Sequence, residues 1–467
     1  MNDVKTILEA FLRFEKEERL FDDTVLGKFH YWNQVRQYLY EALLGHYGLY
    51  SYDPLISGEK WDTKKKLAFF KDLVRNEVRL MRSKKKEVVF VCTSRNMNEK
   101  GYATDSLIED YRNSLPAGAY HQVELFNNLT FDPETKYADR YFNQLLIFIQ
   151  KFSFLLIPLV SKKVDRLLAR YADRFGSDVK LDARFTKKMI ADFILQYYFF
   201  RRVMRKIRPR VVIASQWTTG MYRACNELGI DCVELQHGSF SGNYTLMYDY
   251  PEYVEFSGLS SFPKYFFTFG EYWNEITHMP GKKLSMGNSY LTTKSTAAPD
   301  TRFDAIVFVS NKDFTPIFLP IVKSCAKKFG SVTFYFKLHS PEYEYLDKIR
   351  AELADYKNVE VIYNERTTNE LLNVCDAMFT IHSTVLYQAL QLGVKAIILK
   401  RKYYWISEDA LHLEDVFLVN DEKELFDAIE GIYRKGDFKR QPKKEFFKPF
   451  DRLGFQAFLE RYKQERP

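Results

Sequence analysis

Residues 377–399, AMFTIHSTVLYQALQLGVKAIIL, read as strand, corner, helix and strand in that order. A short apolar run ends at Ile381, and His382, Ser383 and Thr384 turn the chain. From Thr384 to Leu392 apolar positions recur at helical spacing, and Lys395–Leu399 is a second short apolar run. Two strands joined through a helix imply parallel pairing and an α/β sheet.

The same alternation extends upstream. Strands are predicted over Asp304–Ser310, Val332–Leu338 and Val359–Tyr363, with helices over Ile317–Phe329, Glu342–Ala354 and Thr368–Val374. Downstream a helix is predicted over Glu422–Tyr433. The series marks a doubly wound domain over 304–440. Residues 291–303 are small and polar and read as a linker. A second α/β domain precedes it over 81–290. Its strands are Glu87–Cys92, His121–Phe126, Arg210–Ser215, Asp231–Leu235 and Tyr265–Phe269, with helices over 104–112 and Gly220–Leu228. A helical insertion, 136–207, interrupts it. The first 80 residues read as helices, and the tail 441–467 is basic and aromatic and suited to pack back onto the first domain.

At 467 residues the chain has room for two or three domains, and 46% hydrophobic with 28% charged residues excludes extensive disorder. Net charge is +8, which favours nucleotides, phosphates and anionic lipid as partners. The five cysteines form no CxxC pair, which argues for a reducing cytosol and against a disulfide framework or a zinc site. The first twenty residues alternate charge with apolar residues and do not read as a signal peptide. Residues 141–161, YFNQLLIFIQKFSFLLIPLVS, approach membrane-spanning length, but Gln144, Gln150, Lys151 and Pro158 interrupt them. They are expected to form a buried helix or one lying at a membrane surface. Farther on, Tyr197–Phe200 precede Arg201, Arg202, Arg205 and Lys206, a pattern that suits anionic lipid if the aromatics face outward. No RNA- or DNA-binding signature is present, so no nucleic-acid partner is expected.

In an open parallel sheet, ligands bind beyond the carboxyl ends of the strands. In the second domain that rule selects the corner His382–Ser383–Thr384, where hydroxyls and a helix start suit a phosphate. It also selects Lys337 and His339, Ser310 and Asn311, and Glu365 as a contact for base or ribose. In the first domain it selects Gln236, His237, Gly238 and Ser239, and the loop after Cys92 holding Glu99 and Asp105. His237, Glu99 and Asp105 are the candidate general bases.

LQHG at 235–238, KLHSPE at 337–342 and the 375–399 segment, in this order, resemble bacterial glycosyltransferases of surface polysaccharide assembly with the two-domain GT-B fold. These are the capsule and lipopolysaccharide enzymes that use CMP-activated Kdo or sialic acid. CDP-glycerol polyol-phosphate transferases share similar elements. The resemblance implies two Rossmann-like domains facing a cleft, with His339, Ser383 and Thr384 holding the donor's phosphates. In this sequence Ser340 stands between His339 and Pro341. The expected substrates are a nucleotide-sugar and a glycan or glycolipid acceptor, met by a peripheral protein at the inner face of the membrane. No cofactor and no metal ion is expected, since no acidic metal motif ends a strand. The alternatives are a CDP-polyol phosphotransferase and a non-catalytic nucleotide-binding assembly protein.

Overall fold

Two parallel sheets organise the chain in the computed structural model. It describes residues 3–51, 62–94, 96–97, 101–125, 141–216, 218–240, 246, 248–251, 254, 261–292, 301–311, 313–434, 440 and 444–464. The first sheet holds β1 (Val88–Cys92), β2 (Tyr120–Glu124), β3 (Tyr141–Phe142), β4 (Val211–Ala214), β5 (Asp231–Leu235), β6 (Tyr265–Thr268) and β7 (Lys282–Ser285). The second holds β8 (Ala305–Val309), β9 (Thr333–Lys337), β10 (Val359–Ile362), β11 (Ala377–Thr380), β12 (Lys395–Leu399) and β13 (Val416–Val419).

The strand orders are β7-β6-β5-β4-β1-β2-β3 and β10-β9-β8-β11-β12-β13. Every pairing within both sheets is parallel. In each sheet the chain starts near the middle, winds outward, then returns to wind the other way. This is the doubly wound Rossmann order, repeated. The order reverses between β1 and β4 in one sheet and between β8 and β11 in the other, so each sheet has one switch point. The strands beside it are buried on both faces, as the fully buried Val88–Cys92 and Ala305–Val309 illustrate. The architecture is GT-B: two Rossmann-like domains with their strand ends towards a shared cleft.

Helices α1 (Val4–Glu17), α2 (Trp32–His46) and α3 (Thr63–Arg82) open the chain. α1 begins at Asp3, whose carboxylate accepts from Thr6 N–H, and buries Ile7, Phe11 and Phe14. The fully buried Arg36 of α2 pairs with Glu15 and donates to the carbonyl of Asp249 at 2.8 Å, which fastens this region to the first domain.

Two expectations are corrected. The helix predicted from residue 104 starts later, at Glu109–Asn113, because Ala103–Thr104 pairs antiparallel with Asn96–Met97 and Asp105 turns the chain by accepting from Leu107 N–H. Residues 141–161 are not one helix. β3 comes first, then α4 (Gln144–Gln150), a 3-10 turn at Ser153–Leu155 and α5 (Ile157–Phe175). Pro158 occupies the first turn of α5, where its missing N–H is tolerated but a helix cannot run through it. Among the described residues no helix is long and apolar enough to cross a membrane.

α6 (Ala183–Ile207) buries Tyr197, Phe199 and Phe200, so three of its four consecutive aromatics belong to the core rather than to an outward face. Arg201 pairs with Glu227 at 2.7 Å and Arg202 with Glu77. α7 (Thr219–Glu227) lies tight against α6, since a Cβ on Gly220 would stand 2.8 Å from the backbone nitrogen of Tyr197.

The last segment straps the two domains. Phe446 and Phe447 donate to Gln391 Oε1, at the end of α9 (Val385–Gln391; α8 is Thr315–Lys328). Lys448 N–H then bonds Phe269 O at 2.8 Å, and Asp451 N–H bonds Met286 O at 2.7 Å, both in the first domain. α10 (Arg452–Gln464) follows and packs Phe455 and Phe458 against Phe90 and Phe267 of the first sheet.

Candidate active site

Sequence-selected loops from both domains touch at one point. β5 ends in Gln236–Ser239 and β11 ends in His382–Thr384. Ser239 N–H donates to Thr384 Oγ1 at 3.1 Å, and the Thr384 hydroxyl approaches Ser239 Oγ at 3.3 Å. A Cβ on Gly238 would lie 3.9 Å from Thr384 Oγ1, an ordinary contact, so close approach does not by itself require glycine there. Ser383 Oγ accepts from Val385 N–H at 3.2 Å and sets the entry to α9. Ser383 thus has a local partner and Thr384 one across the domains. α9 spans seven residues, a short stack of aligned peptides.

His237 sits on a buried chain of hydrogen bonds. Its Nδ1 lies 2.9 Å from the Tyr248 hydroxyl, which donates to Glu234 Oε1 at 2.8 Å. Tyr222 donates to the other carboxylate oxygen at 2.7 Å. Glu234 is fully buried, and burial raises its carboxyl from the usual range to about 8, although both tyrosines oppose that rise. The same hydroxyl stands 3.2 Å from Nε2, so one phenol meets both ring nitrogens. This chain positions the ring. About a quarter of the His237 side chain is exposed, 26%, so it can be reached from the cleft.

The remaining selected residues divide. Gln236 is buried, with its amide donating to Gly238 O at 2.8 Å and accepting from Phe269 N–H at 2.9 Å. It locks the loop and does not face the cleft, because both amide ends satisfy buried backbone groups. Asp105 is likewise buried, accepting from Thr93 N–H, Leu107 N–H and the Ser215 hydroxyl. These bonds fit a carboxylate that shapes the loop at the first switch point and leave it badly suited to act as a base. Glu99 lies outside the described residues.

In the second domain, Glu342 is the organiser. Fully buried, it accepts from His339 N–H at 2.7 Å, from Ser310 Oγ at 2.9 Å and from Thr315 Oγ1. It therefore ties the end of β8 to the end of β9. His339 itself is exposed beside this clamp, and the backbone carbonyl of Asn311 starts α8. Lys337 is buried enough to lower its ammonium and donates to Tyr363 O. Glu365 pairs with Arg350 at 2.7 Å and accepts from Tyr363 N–H at 2.9 Å. His382 packs edge-on against Phe314 with centroids 5.1 Å apart, and near Tyr403 at 6.0 Å. Burial lowers it to about 4, so at neutral pH it carries no charge and is no cationic phosphate ligand.

Three participants are missing from the sequence reading: Glu234, Tyr248 and Tyr403. Tyr403 adopts φ +78°, a left-handed conformation rare for an aromatic, in the loop after β12. Its hydroxyl accepts from Ser51 N–H at 3.0 Å, and its ring meets Tyr50 at 5.6 Å, so the N-terminal region reaches the corner at His382. Among the described residues no group of three or more His, Cys, Asp or Glu could hold a metal ion.

The chain matches no protein-family profile and no curated protein. Among solved structures it is similar to the UDP-GlcNAc 2-epimerase of Methanocaldococcus jannaschii, at 12% identity over 82% of this chain and 100% of that one, TM-score 0.43. It is similar to MurG of Acinetobacter baumannii at 11% identity, covering 81% and 99%, TM-score 0.45. A third similarity is to HepE of Anabaena in complex with UDP and glucose, at 10% identity, covering 82% and 100%, TM-score 0.41. At such identities and scores no residue's role here follows from them.

Proposed function

We propose that the protein is a glycosyltransferase that moves a sugar from a nucleotide-activated donor, with a CMP-sugar favoured, to a lipid-linked or surface-polysaccharide acceptor. The observation that carries this reading is the Ser239–Thr384 contact at 3.1 Å, because it joins the loop of His237 to the switch-point corner of the opposite domain. The donor's nucleotide rests on the second domain, with its phosphates near Thr384, Ser383 and His339. Phosphate oxygens would take over the hydroxyl and N–H bonds that the two loops now exchange. His237 accepts the proton of the acceptor hydroxyl, with Tyr248 and Glu234 behind it holding the ring. In the transfer, the anomeric carbon–oxygen bond to CMP breaks, an acceptor oxygen–carbon bond forms, and CMP leaves with the charge. Buried Lys337 and the backbone N–H groups of the corner favour that charge, so the reaction is proposed to need no metal ion.

CMP release with a CMP-activated sugar, followed by product analysis, tests this directly. Glycosyl transfer adds no phosphorus to the acceptor, whereas a CDP-polyol phosphotransferase adds a phosphodiester from the donor. His237→Ala should lower turnover by about 100-fold or more, as expected when a general base is lost. Phosphorus transferred from donor to product, or an unaffected variant, would reject the reading.

A further inference from the structure

Eight of the fourteen exposed large apolar side chains among the described residues fall in two short stretches, 67–81 and 152–159. On α3, Leu67, Phe70 and Val74 are 70%, 48% and 60% exposed and share one face by their spacing of three and four. Across from them, Phe152, Phe154, Leu155 and Leu159 are 44–62% exposed on the 3-10 turn and the first turn of α5. Aromatic contacts make these one surface. Phe70 meets Phe148 at 5.9 Å, Phe148 meets Phe152 at 5.4 Å, and Phe152 meets Phe154 at 6.4 Å. Such a patch on a water-soluble surface is costly unless something covers it.

Charge identifies the cover. Residues 62–75 and 148–163 contain eight Lys or Arg against two Asp, a local excess of six in a chain of net +8. Asp72 is half answered by Arg75 at 3.4 Å. At 100° per residue, Lys66 and Lys71 flank the Leu67–Phe70–Val74 stripe on either side, and Lys162 stands one turn beyond Leu159. None of these three makes an ion pair among the described residues. A second copy of this surface would bring like charges together, which disfavours a symmetric dimer through it. An apolar ridge rimmed by lysines matches an anionic bilayer, where aromatic and aliphatic side chains enter the acyl boundary and ammonium groups meet phosphates.

We infer that the ridge of α3 and the α4–α5 turn docks the protein onto an anionic lipid surface, by insertion as well as by charge. Arg202 of α6 reaches α3 through Glu77, and the ridge itself does not depend on the donor or the reaction. Sedimentation of the full chain with phosphatidylcholine vesicles containing roughly 30% phosphatidylglycerol tests it. Wild type should pellet with the vesicles. Phe154→Ser with Leu155→Ser and Leu159→Ser, all exposed positions, should lower partitioning at least about tenfold with the melting temperature unchanged. Reversal of Lys66 and Lys71 to Glu should weaken binding more than reversal of Arg205 and Lys206. Wild type left in the supernatant at low salt, a serine variant that binds like wild type, or the opposite ranking of the two reversals would overturn the inference. So would a wild-type dimer in velocity sedimentation that the serine variant dissolves, because the ridge would then belong to a second copy.

Discussion

Glu234 is the most consequential side chain that composition and motif reading pass over. An acid inside the apolar strand DCVEL, buried on both faces, needs a reason, and Tyr222, Tyr248 and His237 supply it. The same signal stands in HQVEL, where burial raises buried Glu124, which accepts from Cys92 Sγ at 3.1 Å. An acid in a parallel strand was therefore readable as a buried partner, though not which loop residue it would serve. Glu234 holds its proton to about 8 in the folded chain against 4.5 otherwise, so the folded state binds more protons between these values. Stability should fall as pH rises through this window and should do so less steeply in Glu234→Gln, measured as melting temperature against pH. A parallel pair of curves would remove the shift. At His339, truncation to Ala should cost about 1.5–3 kcal/mol of transition-state stabilisation if it meets donor phosphate. Turnover would then drop tenfold or more while the melting temperature changes little, since Glu342 holds His339 through its backbone.

At the scale of elements, the 304–399 alternation was legible because parallel strands buried on both faces are continuous apolar runs, and each is punctuated by a polar loop. Residues 141–161 were less so. Their hydrophobicity is split between a core side and an exposed ridge, and periodicity alone does not reveal where the helix breaks. The tail was expected to pack back, but the strap's partners were not legible, because they are Gln391 Oε1 and backbone atoms remote in sequence. It presses on Gly287, which has φ +73° and whose added Cβ would fall 2.2 Å from Pro449 O. Gly287→Ala should destabilise by about 2 kcal/mol or more, read from the urea midpoint at unchanged slope. A stability within experimental error of wild type would mean that the strap yields at that point.

For the molecule as a whole, the two switch points and the Ser239–Thr384 contact make the cleft a joint property of both domains. Sequence motifs picked out the two loops that meet there, after β5 and β11, because carboxyl-end loops are defined by the strands before them. They did not reveal that His382 stands half-buried among rings or that Gln236 and Asp105 work on the loops themselves, since these roles depend on partners remote in sequence. Activity should persist in EDTA; loss that Mg²⁺ restores would contradict the metal-free reading. The central claim, a nucleotide on the second domain at Thr384, is met most directly by thermal shift with CMP, CDP, UDP and GDP on wild type and Thr384→Val. A ligand at a hundredfold excess over its dissociation constant adds about 2.7 kcal/mol of stability. The account predicts that CMP raises the wild-type melting temperature and that the variant loses most of the shift. No shift with any of the four, or an equal shift in the variant, would contradict it.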